Sequence, residues 1–187
     1  MKKLKTNKNI LFTLALLISV VSFGQNYPFE ISNKFIKLTD EQAYEFLKSS
    51  HKTLKDLEFA DAYNVIVKDF NVYKLRGEEL MFENVLVHKT KFNVSIEDIY
   101  YSMYERRDEL SIENDIFKSE LIDIGTKLFS NKYKYFYYSM NSLDFSNNLE
   151  RIGYIYFIRV KNDTYQININ SVDGLDIDDL ILSISEY

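Results

Sequence analysis

The feature that most constrains this chain is a change of hydrophobic period at Lys132. Upstream, apolar residues recur at threes and fours; from KYKYFYYSM onward they alternate. Tyr154, Tyr156, Ile158 and Val160 alternate with Ile155, Phe157, Arg159 and Lys161, and Tyr165, Ile167 and Ile169 with Gln166, Asn168 and Asn170. Alternation places successive side chains on opposite faces of a strand, so the last third reads as antiparallel strands with one buried and one wet face. Asn162-Asp163 and Asp173-Gly174 supply turns between them. Leu180, Leu182 and Ile184 are expected to face the core, with Ile181, Ser183 and Ser185 opposite.

The earlier segments carry helix signals. Thr39 and Gln42 form a capping box, Leu38 can staple onto Ala43, and Ala43, Phe46, Leu47, Ser50 and Leu54 share a face, predicting a helix over Asp40–Asp56. Phe59, Tyr63, Ile66, Phe70 and Tyr73 predict a second helix, although Val65-Ile66-Val67 is β-branched and argues for a strand. Glu79 to His88 fits a short helix or an edge strand. Ser95 caps a third helix whose apolar face is Ile96, Ile99, Tyr100, Met103 and Leu110, and Glu105–Glu109 reads as a solvated charged face. Ser111 caps a fourth, in which Phe117, Leu121, Ile124 and Leu128 recur at four, three and four. Helices followed by strands imply an α+β fold, with about four N-terminal helices packed on one face of a C-terminal antiparallel sheet of about four strands. The strand from Lys132 is ambiguous: Lys132 and Lys134 turn Tyr133, Tyr135 and Tyr137 inward, whereas Phe136, Tyr138 and Met140 argue the reverse.

The amino terminus reads as an address. Lys2, Lys3, Lys5 and Lys8 precede the apolar run Ile10–Val21, and Ser22 and Gly24 put small residues at −3 and −1 of a cut before Gln25. The run is too short for the roughly 20 residues that span a bilayer, and with no cysteine a lipid anchor at the cut is excluded. The expectation is a signal peptide over residues 1–24 and one α+β domain over 25–187. The mature protein is then periplasmic or extracellular, with no membrane span. Removing residues 1–24 takes four lysines and no acid, leaving 19 basic against 28 acidic side chains, a net charge of −9. Such a surface repels phosphate backbones, which makes nucleic acid an improbable partner. Five glycines and one proline leave little for linkers, and without cysteine the fold holds by packing rather than disulfides.

Signatures of catalysis are missing. The chain has no HExxH, GxSxG, GxGxxG or Walker motif, and no cofactor is implied. Its two histidines, His51 and His88, read as surface residues. Asp173, Asp176, Asp178 and Asp179 form the most pointed acidic cluster, and Asp173, Asp176 and Asp178 are the candidate metal ligands. The EF-hand spacing fails, however, since Gly174 at the sixth loop position would put Ile169, Ser171 and Leu180 at the first, third and twelfth. A plain turn with acids guarding a strand edge is the competing reading. Tyr133, Tyr135, Tyr137, Tyr154 and Tyr156 are the candidate ligand-binding residues, because tyrosines on a sheet stack on rings and present hydroxyls; the rival role is core filling. The expectation is an exported, non-enzymatic binding or interaction module for a protein or small ligand. The alternative is a small hydrolase using carboxylates or His51. N-terminal sequencing of the exported protein is expected to begin at Gln25; an intact Met1 in the exported fraction would contradict the leader.

Overall fold

The computed structural model describes residues 27–50, 64, 66–77, 84–90, 94–113, 117–145, 148–171 and 174–185. In chain order these form β1 (Phe29–Ile31), β2 (Phe35–Lys37), α1 (Asp40–Ser50), β3 (Asn71–Leu75), β4 (Asn84–Lys89), α2 (Ile96–Glu105), β5 (Ile112–Glu113), β6 (Phe117–Phe129), β7 (Tyr133–Asp144), β8 (Leu149–Val160), β9 (Asp163–Ser171), α3 (Ile177–Leu180) and β10 (Ile181–Ile184). The expected leader and His51 lie outside the described residues, as does Asp173.

The architecture corrects the expected four-stranded sheet. Eight antiparallel strands run in the order β2-β3-β4-β9-β8-β7-β6-β5, and β1 pairs with β10 in a separate two-stranded sheet. Strands dominate the molecule, and the helices are short covers rather than a layer of four. One predicted helix ends early and another is a strand. Residues 64 and 66–69 of the second predicted helix are helical, but β3 begins at Asn71, so its expected last residues up to Tyr73 are strand. The region Phe117–Phe129, expected as the fourth helix, is the 13-residue strand β6.

The misreading of β6 has a specific cause. Leu121 pairs with Met140 and Asp123 with Ser139, so Ile122 is an extra bulged residue. A bulge lets residues three apart share a face, and residues four apart do so in any strand. Leu121, Ile124 and Leu128 thus recur at three and four with no helix present. Ser111, expected as a helix cap, accepts a hydrogen bond from the Leu121 amide at 3.1 Å. The β6–β7 connection turns through Ser130 and Asn131, with φ of 49° and 56°, and the Lys132 amide donates to the Phe129 carbonyl at 3.0 Å. Positive φ at both central residues matches the right-handed strand twist.

Among the described residues, three apolar clusters hold the fold. On one face, Tyr73, Val85, Val87, Tyr135, Tyr137, Tyr156, Ile158, Ile167 and Ile169 pack beneath Phe29, Ile177, Leu180 and Ile181 from the β1–β10 layer and α3. The other face has two covers. Ala43, Phe46 and Leu47 of α1 lie on Phe70, Val72 and Leu86, and Ile96, Ile99, Tyr100 and Met103 of α2 lie on Phe136, Tyr138, Met140 and Phe157. Both helices begin as the sequence predicts. Gln42 N–H donates to Thr39 Oγ1 while Gln42 Oε1 accepts from the Thr39 amide, and Ser95 Oγ accepts from Asp98 N–H at 3.0 Å.

Because both faces are covered, the β7 ambiguity dissolves. Tyr135 and Tyr137 are buried on one side, Phe136 and Tyr138 on the other. The expected wet face of β9 is also buried. Gln166 donates to Asn168 at 3.0 Å, and Asn170 donates to Asn84 of β4 at 2.9 Å, so the amides satisfy one another. His88, expected at the surface, is buried on this same face of β4, with Nδ1 2.8 Å from the Asp69 carbonyl and its ring 4.8 Å from Phe70. β4 is correspondingly interior to the sheet, not an edge. The alternation expected near the C-terminus is displaced by the α3 turn: Ile181 is buried and Leu182 exposed.

Phe136 is fully buried against Tyr100, Tyr138 and Phe157. Phe136→Ala is expected to destabilise the protein by about 3–5 kcal/mol in urea denaturation, whereas Leu182→Ala stays within about 0.5 kcal/mol. Equal effects would contradict the burial described.

Candidate functional site

A concavity among the described residues lies where the two sheets meet, beside the β8–β9 turn of the main sheet. Its volume is about 640 Å³, within the range of about 300–1,000 Å³ usual for small-ligand sites. Tyr27 and Phe29 from the β1 strand and its approach, Tyr73 from β3 and Tyr165 from β9 supply the aromatic lining, with Lys37, Lys161 and Asp163 at the rim.

Three of the rings are locked together. Tyr27 stacks on Phe29 with centroids 6.1 Å apart, and Tyr165 meets Tyr27 edge-on at 5.9 Å and Phe29 at 4.9 Å. The Tyr27 hydroxyl donates to the Val87 carbonyl at 2.9 Å and accepts from the Asn71 side-chain amide, pinning the segment before β1 across β3 and β4. The Pro28 carbonyl accepts from the Ser185 amide at 2.7 Å, so the C-terminal strand closes the other side.

Electrostatics separate the lining from the rim. Burial raises the Tyr27 and Tyr73 phenols above the usual tyrosine range. Tyr165 is pushed up to about 12, by burial first and then by the Asp163 carboxylate. These hydroxyls are therefore neutral near pH 7 and act as hydrogen-bonding groups rather than nucleophiles or bases. Asp163 is engaged by Lys89, 2.7 Å away. Lys37 and Lys161 have no carboxylate within 4.0 Å among the described residues, so the rim presents positive charge. The arrangement can hold a ring and an anionic group.

The tyrosines singled out from sequence occupy the same sheet face, further along it. Tyr135 and Tyr137 of β7 and Tyr156 of β8 are buried; Tyr133 and Tyr154 are half-buried. Tyr154 stacks on Tyr156 at 5.8 Å, and Tyr135 meets Tyr156 edge-on at 5.7 Å. Tyr137 donates to Asp123 Oδ2 at 2.7 Å, beneath the Lys127 ammonium 4.7 Å from its ring centre. Gly125 lies opposite Tyr137, where a Cβ would stand 3.3 Å from the ring, so the residue's lack of a side chain permits this approach. Burial pushes Tyr135 and Tyr137 up to about 12, helped by Asp178 and Asp176 at the first and by Asp123 at the second.

Of the acidic cluster, Asp176 is the N-cap of α3. It accepts from the Asp178 and Asp179 amides at 2.9 and 3.3 Å, while Asp179 accepts from the Asp176 amide at 3.2 Å. Burial, then the charges of Asp176 and Asp179, raise the Asp178 carboxyl above its ordinary range. Among the described residues, no three His, Asp or Glu side chains are grouped to hold a metal ion.

Sequence reasoning missed Tyr27, Tyr73, Lys37 and Lys161 as one constellation. Pro28, the chain's only proline, beside two aromatics was the local signal available, but the cleft exists only through contacts between distant segments.

No protein-family model matches the chain, and no curated protein matches it. Among solved structures it is similar to the solution structure of cyanobacterial PsbP (CyanoP) from Synechocystis sp. PCC 6803, with a TM-score of 0.42 and 14% identity over 76% of this chain and 72% of that one. A likeness this slight carries neither fold nor function across.

The tyrosine environments set a pH limit. Unfolded tyrosines ionise near 10, whereas Tyr135, Tyr137 and Tyr165 hold their protons to about 12 in the fold. Their contribution is complete below pH 10 and is lost as pH rises through 12, because only the unfolded state releases protons across that window. Thermal melts are expected to be unaffected by these groups up to pH 10 and to fall steeply above it, with late tyrosinate absorbance. Titration of every tyrosine near 10 in the folded protein would refute the burial.

Proposed function

We propose that this chain is an exported, non-enzymatic binding module that takes a small ligand in the cleft between the β1–β10 layer and the main sheet. The ligand class is a planar or sugar-sized ring carrying an anionic group. The carrying observation is the aromatic lining of Tyr27, Phe29, Tyr73 and Tyr165 beneath a rim where Lys37 and Lys161 lack carboxylate partners among the described residues. Aromatic walls reward ring burial at little cost in side-chain entropy, and a cationic rim orients a charged substituent. The export part rests on the leader pattern in residues 1–24. Among the described residues, no helix is long and apolar enough to cross a membrane.

Anilinonaphthalene sulfonate, which joins fused rings to one negative charge, is a suitable probe. Its fluorescence is expected to rise saturably at one molecule per folded chain. Lys37→Gln is expected to weaken it roughly threefold to tenfold, the effect of losing one charge-assisted contact. Lys48→Gln, on α1 away from the cleft, should leave it unchanged. Non-saturable binding, or equal behaviour of the two variants, counts against the reading.

A further inference from the structure

The long strand β6 is paired on one side only over most of its length. Its β7 side is bonded from Phe117 to Phe129. On the other side β5 reaches only Lys118 and Ser119, and the Ser111 hydroxyl takes the Leu121 amide. Among the described residues, no strand lies against residues 122–129 on that side. Two side chains there are large, apolar and exposed, Ile122 at 56% and Leu128 at 53%. An open apolar edge is a template for another strand, and proteins ordinarily blunt it.

Two hydrogen bonds fix which backbone groups face outward. The Phe129 carbonyl is turned to β7, accepting from the Lys132 amide at 3.0 Å. Alternation along an antiparallel strand then turns Lys127, Gly125 and Asp123 to β7, and Leu128, Thr126 and Ile124 off the edge. The Ile124 amide agrees, donating to the Asp123 carboxylate at 2.8 Å. The side chains are arranged evenly about Gly125. Asp123 and Lys127 stand two positions to either side of it, Ile122 and Leu128 three. A second copy laid antiparallel with glycine opposite glycine sets Asp123 against Lys127 and Ile122 against Leu128, each pair made twice. Ile124 and Thr126 then face each other, so their outward amides and carbonyls bond across the join. Gly125 brings no side chain to the axis, its face being filled by the Tyr137 ring. Sliding either copy by four residues sets Asp123 against Asp123 or Lys127 against Lys127, so charges that otherwise discourage edge pairing here favour one register.

We propose that β6 is a self-association edge: two copies of this chain join antiparallel through residues 122–128, extending the eight-stranded sheet across a two-fold axis. The occupant is a second copy because the charge pattern is complementary to itself. A two-fold join uses the same segment on both copies, so assembly stops at the dimer. The joint is a backbone ladder with little side-chain area, so association is weak and depends on concentration. The edge is separate from the aromatic cleft, none of whose lining residues lies on β6.

The test is sedimentation of the folded chain from about 5 to about 500 µM, a span suited to small, weak interfaces. Monomer is expected at the low end, passing to dimer and nothing larger. Amide exchange at Ile124, Thr126 and Leu128 is expected to slow roughly fivefold or more once the dimer predominates. Thr126→Pro removes an outward amide and leaves the β7 ladder intact, so it is expected to stay monomeric throughout while melting close to the wild-type monomer. Should that variant fail to fold, Lys127→Glu, at an exposed position, is expected to weaken the dimer roughly tenfold or more by setting like charges opposite each other. Leu182→Ser, exposed on β10, should dimerise as wild type does. A monomer at the highest concentration overturns the proposal, and if its edge amides are nonetheless protected, a segment of the same chain covers the edge instead. Growth past the dimer, a dimer whose edge amides exchange as fast as the monomer's, or undiminished association of folded Thr126→Pro (of Lys127→Glu if the proline variant does not fold) would overturn it equally.

Discussion

Everything else in this molecule depends on the pairing of β4 with β9. It joins β2–β4 to the long meander β5–β9, and it does so between segments far apart in sequence: Asn84 lies opposite Asn170, 86 residues away. Without it each half would expose an open strand edge with unpaired amides and carbonyls. The pairing serves both faces. Val85 meets Ile169 and Val87 meets Ile167 in the aromatic-rich core, while Asn84, His88, Gln166 and Asn168 lie buried on the opposite side. Loop-closure entropy grows only with the logarithm of separation, so a well-packed six-residue match can offset it.

That buried polar seam also explains why sequence patterns misled. A strand with one solvated face announces itself by alternation; one covered on both sides does not. β9 alternates cleanly between Ile and Asn or Gln, yet its amides face other amides rather than water. β7 has aromatics at both parities because both sides are core. In β6 a single bulged residue converted strand spacing into helical spacing. Local chemistry stayed legible where it was self-contained, in the caps of α1 and α2 and the apolar faces behind them.

The candidate sites show the same division. The aromatic density of the last third was visible, but the strongest concentrations there, Tyr135, Tyr137 and Tyr156, are buried beneath the α3 and β1–β10 cover. The cleft instead draws one or two residues each from β1, β2, β3, β8, β9 and the β8–β9 turn. None of those residues is unusual in its own neighbourhood. Concavity and charge density are properties of juxtaposition, and a one-dimensional pattern holds no record of them.

The pairing of β1 with β10 has a consequence in time. The first described strand has the last as its partner, with Phe29 opposite Ile184 and the Ser185 amide closing onto Pro28. During synthesis the rings of Tyr27 and Phe29 can meet Tyr165 before β10 exists, but the backbone of β1 lacks its strand partner until the β10 segment has been made. The side of the cleft that Ser185 closes therefore forms only once the β10 segment is available, and removing that segment would leave it open.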